Sequence, residues 1–430
     1  MYRDLMKDLI KWKESPERKP LTIRGARQVG KTWIMKEFGR LYFDNTVYIN
    51  FDRERRLHDM LEEGLDPKRL ITAMGALSGE KIVPEKTLII LDEIQEEPRA
   101  LSALKYFCEE APEYVIVSAG SLLGVALHEG TSFPVGKVDI LKLYPLSFIE
   151  FLMALGKEDI ADIIKEKDIS LITSMKAILI EELKTYYIVG GMPEAVNCFV
   201  NKRDLNEVRE VQEHLLDYYR QDFSKHAPVS LVPRLNQVWE SIPAQLSKEN
   251  RKFIYGQIEK GARAKDFELA IKWLSDCGLI HLVNRVKKPG IPLKTYQEMN
   301  AFKIYFNDIG LLAALGELPV SAFVDGNELF TEFKGALTEQ YVLQQLISVN
   351  KVKAYYYSAE NSKGEIDFLI QKNNGVYPIE VKSSENLQAK SLKAFAEKYK
   401  PGNAIRISMS DYRKQDWMTN LPLYAFTELI

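Results

Sequence analysis

The eight residues GARQVGKT (25–32) stand between KPLTIR (19–24), which reads as a short strand, and TWIMKEFGRLY (32–42), whose apolar residues recur at helical spacing. Strand, glycine loop and helix in that order form a phosphate-binding loop. Gly25 and Gly30 let the backbone turn tightly and aim its N–H groups at an anion, Lys31 reaches terminal phosphates, and the Thr32 hydroxyl can hold Mg. The candidate nucleotide-contact run is Gly25, Ala26, Arg27, Gln28, Val29, Gly30, Lys31, Thr32 and Trp33. Arg24 and Arg27 flank the turn, where arginines are more often solvated, and carry no assigned side-chain role.

Further along, TLIILDEIQ (87–95) opens with a continuous apolar run, as strands buried on both faces of a parallel sheet do. Asp92 and Glu93 close it. Carboxyl ends of strands are where open α/β sheets bind ligands, so Asp92 can accept a Mg-bound water while Glu93 orients or deprotonates the attacking water. A third strand, Tyr114–Ser118, runs into SAGSLLG and makes Ser121 the candidate γ-phosphate sensor. The pattern predicts Mg-dependent ATP hydrolysis, with ATP and Mg as ligands. Small-molecule kinase chemistry is disfavoured, because no acceptor pocket is legible and Glu93 suits water activation.

At 430 residues the chain exceeds one ordinary core of about 150 residues, and two to four units are expected. Hydrophobic content of 46% with 27% charged residues excludes global disorder and fibrous repeats. No stretch approaches the ~20 apolar residues of a membrane span, and the charge-broken N-terminus fails as a secretory signal. The expectation is a cytoplasmic protein with no membrane partner. Cys108, Cys198 and Cys277 are scattered and odd in number, against a disulfide framework or a structural zinc site. A net charge of −2 confines any nucleic-acid contact to a local patch.

From Ser147 to about Pro228 the pattern is helical, and it reads as a lid, interrupted by GGMPEA (190–195). From Leu231 to about Leu315 helices alternate with strand-like pieces in the order of a winged helix, with KKPG (287–290) as the wing turn. Lys248–Lys294 holds 11 Lys and Arg against 5 Asp and Glu, a balance of +6. Arg251, Lys252, Arg263, Lys265, Lys287 and Lys288 are therefore candidate phosphate-backbone contacts.

The last hundred residues pair an amphipathic helix, FTEFKGALTEQYVLQQLI (330–347), with strands EIDFLIQ (365–371) and VYPIEVKSS (376–384). Glu380 and Lys382 share a strand face. A hairpin loop at Asn373-Asn374 sets Asp367 opposite Glu380, and one at Asn374-Gly375 sets it opposite Lys382. Two carboxylates beside an ammonium suit phosphodiester hydrolysis. Asp367 and Glu380 could bind Mg, Lys382 could activate water, and Glu339 on the preceding helix could add a metal contact.

GARQVGKT, LIILDEIQ, PVGKVDILKLYPLSFIEFL (134–152) and YYIVGGMPEAV (186–196) together resemble a bacterial and archaeal family of AAA-type ATPases with a C-terminal domain similar to PD-(D/E)xK restriction-type nucleases. The resemblance implies that Lys31 and Thr32 are Walker A residues, Asp92 and Glu93 the Walker B pair, and Ser121 the sensor-1 residue. Ala119, where the family often has Thr, is a departure. GGMPEA is similar to the element that lies near the adenine in related ATPases, which makes Pro193 a base-contact candidate. Asp367, Glu380 and Lys382 fall on the nuclease motif, and Glu339 on its upstream acid.

The expected architecture is α/β: a P-loop core of AAA/ASCE type (1–146), a helical lid (147–228), a winged helix (229–320) and a nuclease-like domain (321–430). ATP hydrolysis coupled to DNA binding or processing is the expected function, and a homo-oligomer is compatible with it. The rival is an ATP-driven switch or scaffold, in defence or mobile-element control, whose nuclease-like domain only binds nucleic acid or protein.

Overall fold

The computed structural model describes residues 1–121, 134–248, 251–321, 328–359, 364–384 and 389–430. These form two compact units, one of Tyr2–Tyr144 with Asp276–Leu279, the other of Pro145–Ser275 and Ile280–Ile430 with Met1. No helix among the described residues is long and apolar enough to cross a membrane.

In the N-terminal unit, β1 (Leu21–Arg24), β2 (Asn45–Asn50), β3 (Thr87–Asp92), β4 (Val115–Gly120) and β5 (Asp139–Lys142) make a parallel sheet in the order β2-β3-β4-β1-β5. β3 and β4 are buried along their whole length, which is why their sequences are apolar without alternation. Val47, Ile89 and Ile116 pack in one core with Leu57, Leu70, Leu101 and Phe107 from the helices Arg56–Glu63, Pro67–Ser78 and Pro98–Glu110. Arg24, Asp92 and Gly120 are the last residues of β1, β3 and β4, so the loops that follow open along one edge of the sheet.

The second unit begins with helices running from Phe148–Ala154 to Leu205–His226. The first of these starts in a capping box, with Ser147 and Glu150 each satisfying the other's backbone. Beyond the helices lies an eight-stranded sheet of β6 (Ile280–Val286), β7 (Gln297–Phe306), β8 (Ala354–Ser358), β9 (Glu365–Lys372), β10 (Gly375–Val381), β11 (Ala404–Ser408), β12 (Arg413–Lys414) and β13 (Met418–Pro422). Its order is β12-β13-β11-β10-β9-β8-β6-β7.

The segments expected as a winged helix and as a nuclease-like domain both contribute strands to that one sheet. The helices Val232–Leu246 and Ala264–Asp276 and the β6–β7 hairpin follow in winged-helix order. However, β6 also pairs in parallel with β8, from Asn284↔Tyr355 to Val286↔Tyr357. A free strand edge presents unpaired N–H and C=O groups, and here the edge of β6 finds them partners in the C-terminal sheet. The hairpin is therefore two strands of one sheet, and the boundaries expected near 228 and 320 do not separate compact units.

A buried carboxylate ties these segments together. Asp308 accepts from the N–H of Gly191 at 2.6 Å and of Leu311 at 3.0 Å, and Gln344 Nε2 donates to it at 3.3 Å. Gln344 Oε1 accepts from Ile309 N, and Gln345 Oε1 from Phe148 N. Gly190 has φ +71°, and a Cβ there would lie 2.2 Å from Asp308 Oδ1, so glycine is required on both counts. Replacing Asp308 by Asn turns an amide donor toward one of these N–H groups. We expect Asp308→Asn to lower the stability of this unit by about 1–3 kcal/mol, measured by urea denaturation at pH 7.

Candidate functional site

The loop after β1 is shaped by sterics before any ligand is considered. A Cβ on Gly25 would sit 2.2 Å from the carbonyl oxygen of Leu143. Gln28 and Gly30 take φ of 63° and 95°, and such left-handed residues in a short loop turn successive N–H groups toward one concave side. Ala26 and Val29 are buried, so they offer a ligand their backbone only, whereas Trp33 is 42% exposed. Arg3 Nη1 donates to Val29 O at 2.9 Å and ties the loop to the residues just ahead of the helix Leu5–Lys13.

Lys31 begins the helix Lys31–Tyr42, and its ammonium donates to Gly25 O at 3.0 Å and Ala26 O at 2.8 Å. Burial pushes its pKa down to about 8, against the raising influence of Glu93 and Asp92. Thr32 Oγ1 donates to Asp92 Oδ2 at 2.7 Å, and Tyr48 OH donates to the same oxygen at 2.8 Å. A hydroxyl and a carboxylate at this distance form a hard oxygen donor set, which suits Mg with its remaining positions on water and phosphate. Glu93 adopts φ 52° just past the strand, and Gln95 Nε2 donates to its Oε2 at 2.7 Å.

Ser121 is buried and accepts from Arg27 Nε at 3.1 Å. The loop arginine given no side-chain role by the sequence is thus the partner of the candidate sensor. Lys31, Thr32, Asp92, Glu93 and Ser121 all belong to the N-terminal unit. Pro193 belongs to the other, where it opens the helix Pro193–Lys202. Tyr48 and Gln95 escaped sequence reading, since a half-buried Tyr on a strand and a Gln after DE are ordinary residues.

In the second unit the β9–β10 ladder runs from Gly375↔Lys372 to Ile379↔Phe368, the register of the Asn373-Asn374 loop. Continued by one residue, it sets Asp367 opposite Glu380. Asp367 Oδ2 accepts from Val381 N at 2.7 Å. Lys382 Nζ lies 2.7 Å from Glu380 Oε1, while Glu380 Oε2 is buried with no hydrogen-bond partner among the described residues.

Glu339 is differently engaged. It pairs with Arg251, accepts from Tyr305 OH at 3.0 Å, and lies 3.9 Å from the fully buried Lys303. Lys303 also pairs with Glu365. Burial and then the charge of Glu339 raise the Asp367 carboxyl well above its usual range. Burial raises Glu339 too, but Arg251 and Lys303 outweigh it and hold that carboxyl low. Among the described residues, no three His, Cys, Asp or Glu side chains are arranged to hold a metal ion. Of the expected metal set of Glu339, Asp367 and Glu380, Glu339 is matched by the protein's own cations.

Arg251 likewise leaves the candidate phosphate-contact patch, being held against Glu339, whereas Lys252, Arg263, Lys265, Lys287 and Lys288 are exposed. Lys303 had a legible signal, a lone lysine inside the apolar run AFKIYF, which has to find a counter-charge once buried.

Residues 17–152, which hold the parallel sheet and the glycine loop, match the family described as AAA domain. Residues 180–322 and 334–426 match two domains of unknown function, DUF8612 and DUF4143. No curated protein matches the chain. Among solved structures it is similar to a Walker-type ATPase of Pyrococcus abyssi, at 16% identity and a TM-score of 0.47 over 73% of this chain and 95% of that one. It is also similar to the Orc1 protein of Aeropyrum pernix in complex with DNA, at 15%, 0.27, 74% and 92%, and to RuvB of Thermotoga maritima, at 12%, 0.30, 65% and 88%.

A triphosphate beside Lys31 stabilises its charged form, so binding must raise its pKa from about 8 and draw in a proton from solvent. At pH 8 we expect uptake of about half a proton per ATP bound, read from calorimetric titrations in two buffers of different ionisation enthalpy. Absence of uptake in the wild type at that pH overturns this assignment of Lys31.

Proposed function

We propose that the chain is a Mg-dependent ATPase whose nucleotide cycle is coupled to the binding of nucleic acid by its second unit. The ATPase half rests on the bond from Thr32 Oγ1 to Asp92 Oδ2 at 2.7 Å, one residue before Glu93. In this reading the loop N–H groups hold phosphate oxygens, and Lys31 exchanges its two carbonyl partners for the terminal phosphates. Glu93, oriented by Gln95, positions a water and accepts its proton. Ser121 senses the γ-phosphate, its hydroxyl shared with Arg27. Mg at Thr32 and Asp92 would supply neutralisation of charge on the phosphates.

The nucleic-acid half is supported by the exposed Lys252, Arg263, Lys265, Lys287 and Lys288. Strand cleavage is the second reading, and the partnerless Glu380 Oε2 beside Lys382 is the observation that favours it. Asp367, Glu380 and Lys382 are its proposed residues. We rank binding above cleavage because Glu339 is matched internally by Arg251.

The test is phosphate release by wild type and Glu93→Gln with Mg, with and without single-stranded or duplex DNA, while DNA integrity is followed on gels. Glu93→Gln is expected to slow hydrolysis by about 10²–10⁴-fold with ATP binding retained. DNA is expected to change the wild-type rate with the strands intact. Cuts that disappear in Asp367→Ala would establish the cleavage reading instead. Hydrolysis indifferent to every DNA tested sinks the coupling and leaves the ATPase.

A further inference from the structure

The helix Lys390–Tyr399, β11 and the β12–β13 hairpin border a cavity of about 230 Å³ lined by Ala389, Lys390, Lys393, Arg406, Gln415, Trp417 and Met418, with no carboxylate among these described residues. Lys390 and Lys393 lie one helical turn apart, and both are exposed. Arg406 is 2% exposed on β11. Its Nε donates to Asn420 Oδ1 at 2.8 Å, and Asn420 in turn donates to the carbonyls of Ser410 and Asp411 at 3.1 and 2.8 Å. The guanidinium is thereby fixed in plane.

Burial disfavours the Arg406 charge, Glu380 across the β10–β11 ladder favours it, and Arg413 disfavours it again. Arg406 and the two lysines place positive charge around one small concavity, which attracts an anion. The volume is below the roughly 300–1,000 Å³ of ordinary small-molecule sites, yet it has room for several waters of about 30 Å³, and so for a phosphodiester group. Trp417, 36% exposed, offers a ring face beside it. Cations that follow a backbone next to an aromatic face are the means of holding an unpaired strand, whose bases are free to stack outward. In a duplex those faces are already stacked.

Resting on the nucleic-acid reading above, we infer that this cavity holds a backbone phosphate of single-stranded nucleic acid, with the neighbouring base against Trp417. It lies beside the Glu380–Lys382 pair through Arg406, so a strand seated here runs past that pair.

The test uses the full chain and fluorescein-labelled oligothymidylate, with affinity followed by anisotropy across a series of KCl concentrations. Lys390→Glu with Lys393→Glu is expected to bind at least about ten-fold more weakly, with a log–log salt slope shallower by about 1.4, from two lost phosphate contacts on a single strand. ATP hydrolysis without DNA stays at the wild-type rate and serves as the folding control. Trp417→Ala is expected to weaken binding about ten-fold with the slope unchanged. Wild-type affinity and slope in the double variant overturn the inference while the nucleic-acid reading stands. If the wild type binds neither the oligonucleotide nor a duplex, the nucleic-acid reading falls and takes the inference with it.

Discussion

The carboxylate of Asp308 is the constraint on which the second unit depends. Removing an ionised carboxylate from water costs several kcal/mol unless donors replace the water, and burial pushes this one's pKa up to about 6. Its donors are the backbone N–H groups of Gly191 and Leu311 and the Gln344 amide, from three segments far apart in sequence. Each segment is thereby obliged to meet the others. The two glycines of GGMP are needed because the turn approaches so closely: a Cβ on Gly191 would lie 2.2 Å from Leu146 O, and one on Gly190 as close to Asp308 itself. Tyr186 OH extends the network, donating to Leu146 O and accepting from Gln344 and Gln345. The segments that carry Gly191, Asp308 and Gln344 share one buried charge and belong to a single compact unit.

How much of this was legible depends on whether the cause is local. The P-loop strand, turn and helix follow from a few adjacent residues, and β1, the left-handed Gly30 and the helix from Lys31 appear where the pattern sets them. A two-residue loop narrows the hairpin to two registers, with Asp367 opposite Glu380 or Lys382, and the ladder takes the first. What stayed hidden is non-local. No periodicity in LIHLVNRV says that the outer edge of that strand takes β8, because the partner is chosen by the whole sheet. Nor does a basic stretch reveal that Arg251 turns inward, since Glu339 is distant in sequence and brought near only by folding.

Local charge balance separates the two clusters of acids. In the N-terminal unit Asp92 is held by the hydroxyls of Thr32 and Tyr48, which are neutral, while the ammonium of Lys31 is spent on loop carbonyls. Hydroxyl donors orient a carboxylate without cancelling its charge, so that site keeps a demand for a cation, and Lys31 keeps one for an anion. In the proposed ATPase reading, a metal–polyphosphate pair would meet both demands together. In the second unit Glu339 and Glu365 already have Arg251 and Lys303 as counter-charges. A metal entering there would have to displace a buried guanidinium or ammonium, leaving that cation unpaired at a cost of several kcal/mol. Glu380, flanked by Lys382 and by Arg406 on the next strand, also stands among cations. Lys390 and Lys393 on the helix Lys390–Tyr399 border the same cavity as Arg406, so an anion there would meet three cations.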